Sequence, residues 1–250
     1  MILRPGLFRV GWVGSSGITA RTYRERVLAT SPVAYWPMTE QGGTIAADAT
    51  GNGYTGTYAR NVATMGTESG PTLNQTAPTF DGTNDYMDGY SAGLSAAMGD
   101  MSAGTFAAWV RVASAGTWTD STLRQIARIT SAGSADFIIV RKNSSANNWN
   151  FQHKGGATTK STSPASNSST DWIHVAFTWL EGGTTIAYQN GVAISTSSSG
   201  VGAWSGSVSA AYVGAASASP AEPWSGALAH TAIWTRALSP AEISTLHSEV

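Results

Sequence analysis

Residues 171–195 read Asp-Trp-Ile-His-Val-Ala-Phe-Thr-Trp-Leu-Glu-Gly-Gly-Thr-Thr-Ile-Ala-Tyr-Gln-Asn-Gly-Val-Ala-Ile-Ser, and they predict three antiparallel strands in a row. Trp172 to Leu180 is β-branched and aromatic, too short and too β-rich for a buried helix, and it ends at the turn signal Glu181-Gly182-Gly183. Ile186–Gln189 and Val192–Ser195 flank Asn190-Gly191. Asn-Gly between apolar runs marks a two-residue hairpin, because a type I′ turn needs positive φ at both central residues. That loop length sets the register, with Gln189 opposite Val192 and Tyr188 opposite Ala193. In the first strand Ile173, Val175, Phe177 and Trp179 share one face, and Trp172, His174, Ala176 and Thr178 share the other. Neither face is charged, which suits an inner strand of a two-sheet sandwich whose second face is partly covered or binds something.

The remaining composition narrows the classes. Among 250 residues only 12% are charged and the net charge is −1, so no electrostatic footprint for nucleic acid or an anionic membrane is present. There is no cysteine, hence no disulfide and no thiolate metal site, as expected of a chain that folds in a reducing cytosol. No apolar run approaches the roughly 20 residues of a membrane span, and Arg4, Pro5 and Arg9 interrupt any signal-peptide core, so membrane insertion and secretion by that route are not expected. The 28 glycines and 10 tryptophans predict many short strands, tight turns and a few large core anchors.

Taken in order, residues 1–21 hold Leu3, Leu7, Phe8, Val10, Trp12 and Val13 with neither helical nor strand period. So apolar an arm packs on its own domain or is buried in a neighbouring subunit. The second is favoured, since the domain pattern begins only near residue 30. Thr22-Tyr-Arg-Glu25 is a capping box and predicts a helix over 22–29, ended by Pro32. Val33–Met38 is a strand, with Pro37 placing its end at a sheet edge or bulge. Strands are also predicted on either side of an Asp81-Gly82 turn, at 105–112, at 126–130, 136–142 and 149–154 as a meander, at 212–215 and at 226–238. Residues 155–170 hold one weak strand within long loops. In strand 105–112, Phe106, Ala108, Val110 and Val112 face one way and Ala107, Trp109 and Arg111 the other. Ser239-Pro-Ala-Glu242 is a second capping box and predicts a helix over 240–247.

Several of these phrases resemble one family. Ser31-Pro-Val-Ala-Tyr-Trp with Glu40 and a glycine pair, Asp48-Ala-Thr-Gly-Asn-Gly, Phe80-Asp-Gly-Thr-Asn-Asp-Tyr86, Ala108-Trp-Val-Arg111, Trp172-Ile-His-Val-Ala with Tyr188-Gln-Asn-Gly-Val192, and the ending Trp234-Thr-Arg-Ala-Leu-Ser-Pro-Ala-Glu-Ile243 are similar to the concanavalin A-like, laminin-G-like jelly roll. The resemblance spans about residues 30–250 and implies an all-β, two-sheet antiparallel jelly-roll sandwich with a short N-terminal and a short C-terminal helix. Residues 1–21 stand outside it as an N-terminal extended arm. In that family the Asp48–Gly53 type of turn helps hold Ca²⁺, which implies Asp48 and Asn52 as ligands; oxygen ligands on a glycine-rich turn suit that ion. Here Ala229-His230 replaces an acidic pair usual near the last strand, and a turn in which Asp48 caps backbone amides explains the same residues.

Catalytic signatures are missing. Glycosidases of this broad fold carry two carboxylates on one inner strand, typically as Glu-x-Asp-x-Glu, and no such motif occurs. Neither a nucleophile elbow nor a zinc or phosphate-loop motif is present. The expected ligand platform is Trp109, Trp172 and His174 with Arg111 nearby on the concave sheet, aromatic faces for stacking sugar C–H groups beside a few polar atoms. Loops covering that sheet would bury the same residues without a ligand. Trp118, Trp149, Trp204 and Trp224, near predicted loops, are candidates for exposed contacts.

The expectation is a non-catalytic virion protein of a tailed bacteriophage, of minor-tail or tail-tip type. It would form a homo-oligomer within the particle, display a lectin-like domain toward host-surface glycan and be anchored to other virion proteins by the arm. The alternatives are a capsid decoration protein and a secreted bacterial carbohydrate-binding module, the latter disfavoured by the missing signal peptide.

Overall fold

The computed structural model describes residues 21–59, 64–72, 74–145, 147–163 and 166–248. Asn190 and Gly191 take φ of 49° and 77°, the two left-handed residues of a type I′ turn, and the hairpin closes with Tyr188 opposite Ala193 and Gln189 opposite Val192 as its loop length requires.

In chain order the elements are α1 (Tyr23–Ala29), β1 (Ala34–Trp36), β2 (Ile45–Ala46), β3 (Gly56–Ala59), β4 (Thr64–Ser69), β5 (Thr76–Asp81), β6 (Tyr86–Asp88), α2 (Ala92–Met98), β7 (Ala103–Val112) and β8 (Arg124–Ser131). They continue with β9 (Phe137–Lys142), β10 (Trp149–Gly155), β11 (Thr158–Thr162), β12 (Ile173–Leu180), β13 (Thr185–Gln189), β14 (Val192–Thr196), β15 (Val208–Val213), β16 (Ser225–Trp234) and α3 (Pro240–His247). The strands form two antiparallel eight-stranded sheets. One runs β14-β13-β12-β7-β16-β5-β4, with β1 on the second half of β16; the other runs β11-β10-β9-β8-β15-β6-β3-β2. The fold is thus the all-β antiparallel sandwich expected.

Between the sheets lies the main core. The predicted inward rows Phe106, Ala108, Val110 and Val112 of β7 and Ile173, Val175, Phe177 and Trp179 of β12 all belong to it, with Ile129, Ile138, Val140 and Phe151 opposite. A second apolar layer covers the outer face of the first sheet. There Tyr23 and Val27 of α1 and Ile243 and Leu246 of α3 pack on Trp109, Ala176, Tyr188 and Trp234. Both helices start where their capping boxes place them, with Thr22 and Ser239 accepting from the amides of Glu25 and Glu242 and those carboxylates reaching back. Glu242 is also gripped by Arg236, and its carboxyl is pushed down to about 2, first by that bond.

β1 stops at Trp36 as Pro37 demands, and the Pro37 carbonyl accepts the His230 amide (3.0 Å) where β16 breaks register between Ala229 and Ala232. Three features were not anticipated. The phrase Phe80–Tyr86 carries the chain from one sheet to the other instead of closing a hairpin. β2 to β4 are short and Gly/Thr-rich, without period. α2 is capped by Ser91 but built on small residues; its Leu94 and Met98 close the sandwich core. The residues of the proposed anchor, Leu3, Leu7, Phe8, Val10, Trp12 and Val13, lie outside the described residues.

Candidate functional site

Trp109 and His174 come together as the strand reading required, directly opposite each other on β7 and β12 with ring centroids 5.2 Å apart. They offer no surface to a ligand, however. Tyr23 of α1 sits edge-on to Trp109 at 6.0 Å and His247 of α3 stacks on it at 5.6 Å; Trp109 is 4% exposed and His174 not at all. Across the same layer Tyr35 Oη and His230 Nδ1 share a 2.7 Å hydrogen bond. Burial drives His174 down to about 3, with His247 and His230 adding to it, and burial alone drives His230 to about 3, so both stay neutral. The expected platform is therefore corrected: docked helices cover it, and its histidines are core groups.

Trp172 and Arg111 lie apart from that pair, near the end of β4. Trp172 Nε1 donates to the Ser69 carbonyl (3.0 Å), Arg111 Nε to the Thr170 carbonyl (3.0 Å), and the Arg111 guanidinium pairs with Glu68. A cleft of about 190 Å³ beside Arg111 is closed in charge by Glu68. The tryptophans expected at the surface are likewise inside: Trp118, Trp149 and Trp224 form one chain of rings, at 4.8 and 6.5 Å, and Trp204 is 7% exposed. A loop supplies the Ser169 carbonyl as acceptor for Trp118, and the end of β13 supplies Gln189 Oε1 for Trp149.

Asp48 and Asn52 do not fit a calcium ion. Asp48 Oδ1 accepts the amides of Tyr35 (3.2 Å) and Thr50 (3.0 Å), Oδ2 accepts that of Tyr54 (3.0 Å), and Thr50 Oγ1 donates to both oxygens. Asn52 Nδ2 donates to the Val33 carbonyl (3.0 Å). The N–H groups aimed at the carboxylate occupy the directions a cation needs, so Asp48 pins the turn to β1. Among the described residues no group of three His, Cys, Asp or Glu is placed to hold a metal ion.

Among the described residues no helix covers the outer face of the second sheet, although Thr130 and Ile139 on it are buried. β10 alternates Trp149, Phe151 and His153 inward with Asn150, Gln152 and Lys154 outward. Register then aligns a single row across six strands: Asp88, Tyr212, Arg128, Ile139, Gln152 and Ser161. At about 4.8 Å per strand the row is about 24 Å long. Beside it runs Ala210, Thr130, Phe137, Lys154 and Thr159. A cleft of about 350 Å³ opens on these rows, with Arg128, Thr130, Ser131 and Tyr212 on its floor and Ala216 and Ser217 on its wall.

Tyr212 stands edge-on to Tyr86 at 5.8 Å, and burial, then Asp88 and Tyr86, raise its phenol, which stays a hydroxyl. Arg128 and Lys154 both lie over the Phe137 ring, at 5.9 and 5.8 Å from its centroid. The face thus combines an aromatic edge, an amide, several hydroxyls and cations, donors and acceptors suited to a hydroxyl-rich ligand. No motif marks it; the signal was the alternation of polar with apolar residues along β10, with Asn150, Gln152 and Lys154 on one side.

Residues 81–244 match the Laminin_G_3 family model, described as the concanavalin A-like lectin/glucanases superfamily. No curated protein matches the chain in sequence. Among solved structures it is similar to the binding domain of botulinum neurotoxin DC in complex with SialylT, with TM-score 0.63 and 13% identity over 88% of this chain and 52% of that one. It is also similar to a botulinum neurotoxin type C structure whose title ties cell entry to two ganglioside molecules (TM-score 0.62, 12% identity, 89% and 52% covered). A Trypanosoma rangeli sialidase in complex with 2,3-difluorosialic acid gives TM-score 0.61 and 14% identity over 86% and 32%. The chain spans about half the length of the toxin chains and a third of the sialidase, and at these identities the likeness is one of fold.

Proposed function

The chain belongs to the concanavalin A-like lectin/glucanases superfamily, and from that premise we propose that it is a non-catalytic lectin-like module which binds host-surface glycan through the open face of its second sheet. The observation that carries the reading is the row of Tyr212, Arg128, Gln152 and Ser161, interrupted only by the buried Ile139, on a sheet face that no helix of the described residues covers. The toxin and sialidase structures, whose titles name sialyl or ganglioside ligands, support a sugar as the ligand. A non-catalytic role is supported by the carboxylates near this face, which are engaged elsewhere: Glu222 pairs with Arg141, and Asp88 accepts the Tyr90 amide. Hydrolysis of a glycosidic bond needs two facing carboxyl groups.

The wider setting is a tailed-bacteriophage particle, with the module as a minor-tail or tail-tip component, residues 1–21 as its anchor to other virion proteins and oligomerisation in the assembled particle. The Ser31–Trp36 opening, the unusually apolar arm and the absence of cysteine support that reading. The test uses the full chain on arrayed host-envelope glycans and on particles lacking it. Glycan binding that falls at least tenfold in Tyr212→Ala, together with uptake into particles, is the expected result. Uptake with no glycan bound refutes the adhesin in favour of a decoration protein, and glycan binding without uptake refutes the virion setting.

A further inference from the structure

We infer, building on the glycan reading above, that the sugar taken by this face carries a carboxylate and that Arg128 receives it. Five of the cations borne by the sheets and the turn before α3 are neutralised at home. Arg124 and Lys142 share Asp120, Arg141 holds Glu222, Arg236 holds Glu242 and Arg111 holds Glu68. Among the described residues the Arg128 side chain has no ion pair and no hydrogen bond, although it lines the 350 Å³ cleft and stands in the middle of the row.

Its neighbourhood reinforces the charge. Lys154 lies over the same Phe137 ring. The acid that feels Lys154, Asp136, is already committed to the Gly156 and Ser205 amides and the Ser205 hydroxyl. On the opposite side Asp88 sits one strand beyond Tyr212, about 10 Å from the Arg128 backbone. It repels an anion from that end of the row, so the ligand's acid group is directed toward the Arg128 and Lys154 end. A guanidinium over an aromatic ring gains a cation–π contact there, and its N–H fork can meet a carboxylate with two parallel hydrogen bonds. The exposed Ser134 and Ser209, which also line the cleft, then offer hydroxyls to the sugar's own. Two cations on a chain of net charge −1 suit one acid group per sugar and not a polyphosphate backbone.

The test is calorimetric titration of the full chain with matched pairs: sialyllactose against lactose, and an oligogalacturonide against its carboxyl-reduced form. The acidic member of each responsive pair is expected to bind at least tenfold more tightly. Arg128→Gln should bring that ratio near one, and Arg128→Lys should keep part of it, with the melting temperature of both variants confirming the fold. Equal affinity within the pairs, or a ratio that survives Arg128→Gln, overturns the inference. If Tyr212→Ala abolishes binding of acidic and neutral sugars while Arg128→Gln leaves their ratio untouched, the glycan face stands and only the carboxylate falls. Binding of neither member in any pair sinks both.

Discussion

Lowering the pH from 7 to 4.5 should cost this protein a large part of its stability, through three histidines. His153, His174 and His230 are fully buried, and five of their six ring nitrogens have no hydrogen-bond partner: both on His153, both on His174, and Nε2 on His230. Burial holds them at about 4, 3 and 3, against 6.5 when unfolded. The folded values lie below the unfolded one, so between them the unfolded chain binds more protons and stability rises with pH. The loss therefore begins as the pH falls through about 6.5 and levels off only near 3 to 4. At pH 4.5, about two units below the unfolded value, each histidine contributes a loss on the order of 2 kcal/mol at 1.36 kcal/mol per unit. Three together remove roughly 6 to 8 kcal/mol, comparable to the whole stability of a typical domain. His247, also lowered by burial, acts in the same direction. Glu242, held at about 2, and Asp100, Asp120 and Asp136, all held below their usual values, add losses of the same sign only toward the low end of the window, so its upper part reads the imidazoles. Urea unfolding followed by tryptophan fluorescence, in steps from pH 7 to 4.5, measures the slope. The His174→Leu/His230→Leu double variant should lose about a third as much as wild type, since His153 remains. Wild-type stability unchanged within about 1 kcal/mol, or a double variant as acid-sensitive as wild type, would show that these rings are hydrated or paired in solution and would refute the reasoning.

The remaining expectations concern the scaffold. Gly155→Ala would place a methyl group 2.1 Å from the Gly202 carbonyl oxygen, backbone against backbone, and should cost about 3 kcal/mol or more, whereas Gly116→Ala, with 3.5 Å to its nearest neighbour, should stay within about 0.5 kcal/mol in the same thermal melts. Gly191→Ala must hold φ near 77° with its new carbon 3.1 Å from His247 Cβ, and a loss of about 1–2 kcal/mol by urea unfolding is expected. Asp48→Ala strips three amides and a hydroxyl of their acceptor and should lower stability by about 2–3 kcal/mol. Millimolar calcium should leave the wild-type melting temperature unchanged, and a rise of several degrees that disappears in the variant would restore the metal reading.

Local structure was legible to the residue where a single chemical rule governs it. The Asn190-Gly191 turn, both capping boxes and the inward rows of β7 and β12 follow from φ preference, amide satisfaction and period two. Placement was not legible. A capping box says where a helix begins and nothing about which sheet face it covers. α1 presents Tyr23, Val27 and Leu28 to that face and α3 only Ile243 and Leu246, too few to announce their docking. Trp109 and His174 consequently read as a platform when they are the floor beneath two helices. The four loop-adjacent tryptophans failed for a related reason: a polar loop sequence does not show whether the loop folds back over a neighbouring indole, as the Ser169 carbonyl does over Trp118.

The open face could nevertheless have been found by comparing strands with one another. A strand buried on both sides must be uncharged on both, and β12 is, with His174, Ala176 and Thr178 opposite its large apolar row. A strand with one wet side must alternate, and β10 does so strictly, Trp149-Asn150-Phe151-Gln152-His153-Lys154. The contrast between the two assigns solvent to the second sheet and a cover to the first without reference to any helix. Within a wet face the informative residues are those solvent alone does not explain. Asn150 bonds Ser161 and Ser163 of the edge strand and its loop, and Arg141 bonds Glu222, so both serve the fold. Arg128 has no acidic partner among the described residues, only the Phe137 ring, and occupies the centre of the row, which is where a ligand's charge has to be met.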